Sequence, residues 1–338
     1  MTCFLSIEAF EAALAELRDP DAHAAADARV RQAELTKPAG SLGRLVDLAI
    51  FFAGWQGRAR PRIARARAAI FAGNHGVTIH GVSAFPPSVT AQMVANFANG
   101  GAAINALSEA AGVELTVVAL DLERPTADFT NAPAMAEAEC LDALNRGAAV
   151  VDADLDLIVL GEMGIGNSTA AAALCARSFA GGVAGWVGPG TGVDGHGVAR
   201  KAEVIERALA FHGVAPRTAF ETLRRVGGRE IAAIAGAVLR ARQLRVPVLL
   251  DGFICTSAIA PLAAENPAIV DHCIAGHCSA EPGHKRLLAL LGLDPLLSLD
   301  MRLGEGSGAA VAANIVRSAL AAHVRMATFA EAAVSASL

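Results

Sequence analysis

The chain has 338 residues, enough for one large domain with a small satellite, and 54% of them are apolar, many of them alanine, which supplies a core of closely packed helices. Aromatic residues make up only 4%, tyrosine is absent and the net charge is −5, which argues against nucleic acid held by base stacking or by a basic stripe. Six scattered cysteines show no disulfide rhythm, Glu8 and Glu11 do not suit a secretory signal, and no uncharged apolar run is long enough to span a membrane. A cytoplasmic protein without nucleic-acid or membrane partners is therefore expected.

Residues 5–35 read as one or two helices. Pro38, Gly40 and Gly43 break that pattern and lead into a helix from Leu45 to Gln56. The basic stretch Arg58–Arg67 reads as a solvated loop. The grammar then changes to strands alternating with helices. Ala68–Ala72 reads as a buried strand ending in Gly73-Asn74-His75-Gly76, and Val89–Ala110 as one helix. Glu114–Leu120 is a strand, Ala134–Ala149 a helix and Leu155–Leu160 a strand. Helices are expected after Glu162, from Gly197 to Phe211 and from Arg229 to Arg242. Val246–Leu250 and Ile269–Ala275 read as strands, and Ala309–Phe329 as the last helix.

This alternation predicts an α/β fold, a parallel sheet covered by helices on both faces. Residues 61–308 form the large domain in this reading. Segments 1–60 and 309–338 lie outside the βα grammar and pair into a small helical domain. Ligands of such sheets bind beyond the carboxyl ends of the strands. His75, Glu162, Asp251 and Ser279 all fall there, which predicts one composite site.

Two segments carry the chemistry. In Asp300–Ala309, Glu305 stands among Gly304, Gly306 and Gly308 just ahead of a buried helix. Glycine lets backbone approach a ligand closely; a plain helix-start glutamate, favoured by the dipole, is the alternative. In Gly161–Thr169, a strand, a glycine turn and a helix follow one another, the arrangement that cradles phosphate. It is neither a Walker loop nor GxGxxG. Glu162 would repel a phosphate, so it suits a cationic or proton-bearing part of the same ligand. His75, bracketed by Gly73 and Gly76, reads as a turn-stabilising histidine. His272, Cys273, His277 and Cys278 come as adjacent pairs, not the spaced pairs of a zinc loop, so packing is the better reading and no metal is expected.

These segments in this order resemble one family, the nicotinate-nucleotide–dimethylbenzimidazole phosphoribosyltransferases of cobalamin lower-ligand synthesis. The likeness rests on KPAGSLGRL at 37–45, GNHGV at 73–77, GVSAFP at 81–86 and VTAQM at 89–93. It continues through GEMGIGN at 161–167, GGREIA at 227–232, DGF at 251–253, HCSAE at 277–281 and RLGEG at 302–306. Asn74 stands where many relatives have Asp, and Ser168 and Ser307 where they have Thr.

The resemblance implies a Rossmann-like parallel domain with a small helical domain, and a homodimer with sites near the interface. It implies that nicotinate mononucleotide and 5,6-dimethylbenzimidazole yield α-ribazole 5′-phosphate and nicotinate, without a cofactor. That chemistry suits the two glutamates. Nicotinate leaves a pyridinium without needing a proton. The attacking benzimidazole becomes cationic, and a carboxylate at its N–H can take the proton. A second carboxylate near the ribose can stabilise oxocarbenium-like charge. The resemblance assigns the base to Glu305 and puts Glu162 nearby.

For the phosphate, the candidates are Gly164, Gly166, Asn167, Ser168 and Thr169, the Gly190-Thr191-Gly192 turn, Lys201 and Ser279. For the flat apolar base they are Ser83, Phe85, Gln92, Met163, Ile165 and Leu303, beside Gly304. Met163 and Leu303 equally suit the core; for Lys201 a merely solvated helix face is the lesser alternative. An oxidoreductase would want GxGxxG after the first strand, which is missing although Asp121 follows the second; a non-catalytic nucleotide sensor leaves the glutamates without a task.

Overall fold

The computed structural model describes residues 3–190 and 192–335. Five strands, β1 (Ala66–Ala72), β2 (Glu114–Ala119), β3 (Leu157–Met163), β4 (Val248–Leu250) and β5 (Cys273–Ala275), form one sheet. All neighbours pair in parallel, in the order β2-β1-β3-β4-β5. The chain leaves β1 for β2 on one side and returns to β3 on the other. The strand order therefore switches between β1 and β3, where a crevice opens in such sheets.

Side chains alternate across the sheet as the pleat requires. Ala69, Phe71, Ile158 and Leu160 face a core that includes the helices Glu137–Ala148, Asn167–Ser178 and Arg229–Leu244. Ala68, Leu157 and Val159 face the helices Arg44–Gln56 and Ser307–Arg325 on the other side. The second set brings the chain ends together. Arg31, on the helix Ala22–Glu34, donates to the carbonyls of His323, Val324 and Met326 and so satisfies the end of the last helix. The first helix, Ile7–Ala15, packs on the larger core, with Phe10 6.2 Å from Phe220. Among the described residues no helix is long and apolar enough to cross a membrane.

Several expectations need correction. The stretch 89–110 is two helices, Ser88–Ala98 and Ala103–Ala111, because Gly100 takes φ +77° between them. Glu162 and Met163 belong to β3 rather than to the loop after it. In 269–275 only Cys273–Ala275 is strand; Pro267–His272 forms a 3-10 turn, started by Pro267 and by the Asn266 side chain accepting from Ala268 N–H. The helices Ala219–Val226, Phe253–Ser257, Ala260–Glu265 and Pro282–Leu291 have no counterpart in the sequence reading.

Asn74 has a structural explanation. Its Nδ2 donates to the Leu122 carbonyl at 2.9 Å, and its Oδ1 accepts from Thr90 Oγ1 at 2.7 Å. The first bond needs a donor that a carboxylate lacks.

Candidate active site

At the β1/β3 switch point, the end of β3 lies directly against the turn that precedes the last helix. A Cβ on Gly161 would collide with Gly306 backbone, and one on Gly304 would come within 2.5 Å of Glu162 Oε1. Gly304 therefore leaves room for the Glu162 carboxyl, and Gly161 for the Gly306 turn. Gly304, Glu305 and Gly306 all take left-handed backbone, with φ of +84°, +63° and +76°. For Glu305 that conformation costs roughly 1–2 kcal/mol, a cost that glycine would avoid. A side chain kept at such a position points to a task for it.

Asp251, just past β4, holds this turn. Its Oδ2 accepts from Gly306 N–H at 3.1 Å and its Oδ1 from Ala309 N–H at 3.0 Å, capping the last helix from outside its own chain segment. His277 Nε2 stands 3.4 Å from the same Oδ1. Deeper still, His75 is fully buried and its Nε2 lies 2.5 Å from Glu230 Oε1, so it partners a helix rather than only a turn.

Glu162 is buried and accepts from the Asn167 side-chain amide. Burial first, then the charges of Asp251 and Glu230, push its carboxyl up to about 8. It therefore holds a proton at neutral pH. Glu305 is also raised, by burial and then by Asp251, against the Ile104 N–H that favours its charged form. Its Oε2 is buried with no hydrogen-bond partner among the described residues.

The raised Glu162 makes a stability prediction. Its folded-state value lies above the ordinary 4.5, so the folded protein holds this proton better than the unfolded chain. That contribution is complete below about pH 4.5 and is lost as pH rises through about 8. Glu162→Gln cannot ionise. It is expected to gain stability over the parent as pH rises, on the order of a few kcal/mol by the end of that window. Denaturant unfolding at several pH values checks this; parallel pH profiles for the two proteins would contradict it.

One wall of the cavity suits an anion. The helix Asn167–Ser178 starts there with Gly166 at its N-cap and no capping side chain, so its dipole faces the cavity, although the Asn167 and Thr169 N–H groups are taken by the Gly164 and Gly166 carbonyls. Lys201 is 2% exposed, and its Nζ donates to Ser168 Oγ at 3.0 Å and to the Gly188 carbonyl at 3.1 Å. Two of its three donors are thus used, leaving one for a ligand. Burial lowers its pKa, opposed by the charge of Glu281. Arg302 Nη1 approaches the Gly190 carbonyl at 3.4 Å on the same rim. Ser279 is held by His284, whose Nδ1 accepts from Ser279 N–H at 2.9 Å. Burial pulls His284 down to about 3, so it stays neutral.

Most of the expected residues meet here. Glu162, Gly164, Gly166, Asn167, Ser168, Gly190, Lys201 and Ser279 line the cavity, and so do Ser83, Met163, Ile165, Leu303 and Gly304. Others do not. Glu305 lies behind Gly304 and is not part of the lining, and Thr169 is fully buried in its helix. Phe85 is 48% exposed, Gln92 sits on the outer face of its helix, and neither they nor Gly192 reach the cavity. Thr191 lies outside the described residues. Sequence reasoning missed Glu281, His277 and Arg302 as lining residues. Among the described residues no group of three His, Cys, Asp or Glu side chains is placed to hold a metal. His272 is pulled down to about 3 by burial, and its Nε2 lies 3.0 Å from the Val238 carbonyl.

Comparison with known proteins identifies the family. A family model described as phosphoribosyltransferase matches residues 17–334. The nicotinate-nucleotide–dimethylbenzimidazole phosphoribosyltransferase of Novosphingobium aromaticivorans is 70% identical over 335 residues, covering 99% of both chains. The protein of that name from Ruegeria pomeroyi is 58% identical, covering 95% of this chain and 97% of its own. The crystal structure of CobT from Thermus thermophilus superposes with a TM-score of 0.87 at 40% identity, covering 93% of this chain and 100% of that one. The chain belongs to the nicotinate-nucleotide–dimethylbenzimidazole phosphoribosyltransferase family.

Proposed function

We infer that this protein moves the phosphoribosyl group of nicotinate mononucleotide onto 5,6-dimethylbenzimidazole, releasing nicotinate and forming α-ribazole 5′-phosphate for the lower ligand of cobalamin. The observation that carries the reading is one cavity lined both by a buried lysine held at Ser168, beside a helix N-terminus, and by a buried glutamate. A phosphate suits the first. A cationic pyridinium suits the second, because it favours the charged form of Glu162 that burial opposes.

In this reading Lys201, Ser168 and Ser279 hold the phosphate, and Met163, Ile165 and Ser83 offer the flat wall on which the base rests. Glu162 faces the positive charge that begins on the pyridinium and passes to the ribose as nicotinate leaves. Glu305 takes the proton from the far nitrogen of the benzimidazole. Its buried, unpartnered Oε2 and its left-handed backbone support that role. Neither glutamate becomes a nucleophile.

Incubation with both substrates tests the reading. Nicotinate is expected only when the base is present, with one riboside formed per nicotinate. Binding without release would make the protein a sensor and overturn the assignment.

Three further points belong to the same proposal. The protein works in the cytoplasm, in keeping with Cys140, Cys175, Cys255 and Cys273 being buried thiols rather than disulfides. It forms a homodimer, in keeping with the half-exposed apolar edge strand β2. Segments 1–60 and 309–338 form a helical unit beside the 61–308 domain, in keeping with the Arg31 contacts to the last helix.

A further inference from the structure

Glu281 is a carboxylate on the cavity wall that suits an anion. It stands at the N-cap of the helix Pro282–Leu291, yet its side chain makes no capping hydrogen bond there. It reaches instead to the Gly188–Gly190 loop. A Cβ on Gly188 would collide with Glu281 Oε2, and the Gly190 N–H favours the charged form of the carboxyl. The residue is only 8% exposed, and Oε1 is buried without a hydrogen-bond partner among the described residues.

The charges around it are few. Lys201 faces it from the helix Gly195–Phe211 and Arg302 from the segment before Gly304. Neither forms an ion pair with it, since Lys201 gives its donors to Ser168 and Gly188. Glu162 and His277 share the cavity. A phosphate monoester brings about two negative charges, which Lys201 and Arg302 can balance. An ionised Glu281 would then be an uncompensated buried anion beside a dianion. As the neutral acid it changes from a repelling acceptor to a donor, and the orphaned Oε1 gains a partner.

We propose that Glu281 binds the substrate's phosphate as the neutral carboxylic acid, so that filling the Lys201 site draws one proton from solvent onto Glu281. The proposal rests on the reading that the Lys201 wall of the cavity takes the phosphate. It gives the protein a phosphate clamp whose strength depends on pH through a side chain outside the two proposed catalytic glutamates.

The test is calorimetric titration with ribose 5-phosphate, which has no cationic ring to disturb Glu162. At about pH 8 this probe is already a dianion, since a phosphate monoester loses its second proton near 6. Titration in two buffers of different ionisation heat counts protons directly and needs no variant. The expected result is uptake of about one proton per probe bound, with affinity falling about tenfold per pH unit above neutrality. Glu281→Gln carries an amide donor and an acceptor in the same shape. It should bind without proton uptake and without that pH dependence, whereas Glu281→Ala should bind more weakly. No uptake by the parent protein, or unchanged uptake in Glu281→Gln, overturns the proposal. Lys201→Ala separates the two levels. Undiminished binding in that variant, or no binding by the parent, removes the phosphate site itself. Lost binding in Lys201→Ala with unchanged uptake in Glu281→Gln removes only Glu281.

Discussion

Glu305→Gln is expected to lower turnover by about 10²–10⁴-fold, the usual contribution of a general base, while the fold and the affinity for both substrates stay near those of the parent. The glutamine fills the same space, so the left-handed turn at Gly304–Gly306 and the Asp251 contacts to Gly306 and Ala309 are kept. Only the capacity to accept a proton is lost. The pH profile separates this from a packing effect. Burial and Asp251 raise the Glu305 carboxyl, so the active, charged form grows as pH rises through a value above the ordinary one. Turnover of the parent should climb over that range, and the variant should lose the limb. Near-parental turnover in Glu305→Gln would exclude it as the base. It would turn attention to Glu162, which lines the cavity itself.

Lys201→Ala is expected to weaken nicotinate mononucleotide far more than the base. A charge-assisted hydrogen bond to phosphate is worth roughly 1.5–3 kcal/mol, or about 10- to 150-fold in KM or Kd. Lys201 is nearly fully buried, and its ammonium also ties Ser168 to the Gly188 loop. Some loss of order in that loop should add to the effect. The base, which the proposed reading sets against Met163 and Ile165 rather than Lys201, should be spared. Lys201→Arg should not rescue, because a planar fork does not reproduce the point charge that donates to both Ser168 and Gly188. Equal weakening of both substrates, or none, would remove Lys201 from the phosphate site.

Much of the fold was legible because β1 and β3 are buried on both faces and read as short unbroken apolar runs. Short elements were harder. β4 and β5 have only 3 residues each, too few for a period to show. The helix Ala219–Val226 carried a usable signal, Thr218 capping Glu221 N–H, that hydrophobic spacing alone does not reveal. The glycines around Glu162 and Glu305 marked a place of close backbone approach. They could not tell which carboxylate faces the cavity, because that depends on β3 meeting a turn more than a hundred residues away in sequence.

Phe85 and Gln92 show the reverse error. Both are near Ser83, a lining residue, in sequence, yet Phe85 stands on an exposed bend and Gln92 on the outer side of a helix. Glu281 closes the HCSAE segment but carried no local mark of a cavity position. Its neighbour Pro282 announces a helix start, while its role is set by Gly188 and Gly190 from another segment.

The measurement that bears most directly on the mechanism is the anomeric configuration of the riboside formed from nicotinate mononucleotide and 5,6-dimethylbenzimidazole, read by NMR. The β-nucleotide should invert once, because the base enters opposite the departing nicotinate while Glu162 only stabilises charge and Glu305 only takes a proton. The predicted product is the α-riboside. A β-riboside would mean two inversions through a glycosyl-enzyme on one of the glutamates, with nicotinate released before the base binds, and would contradict the single displacement.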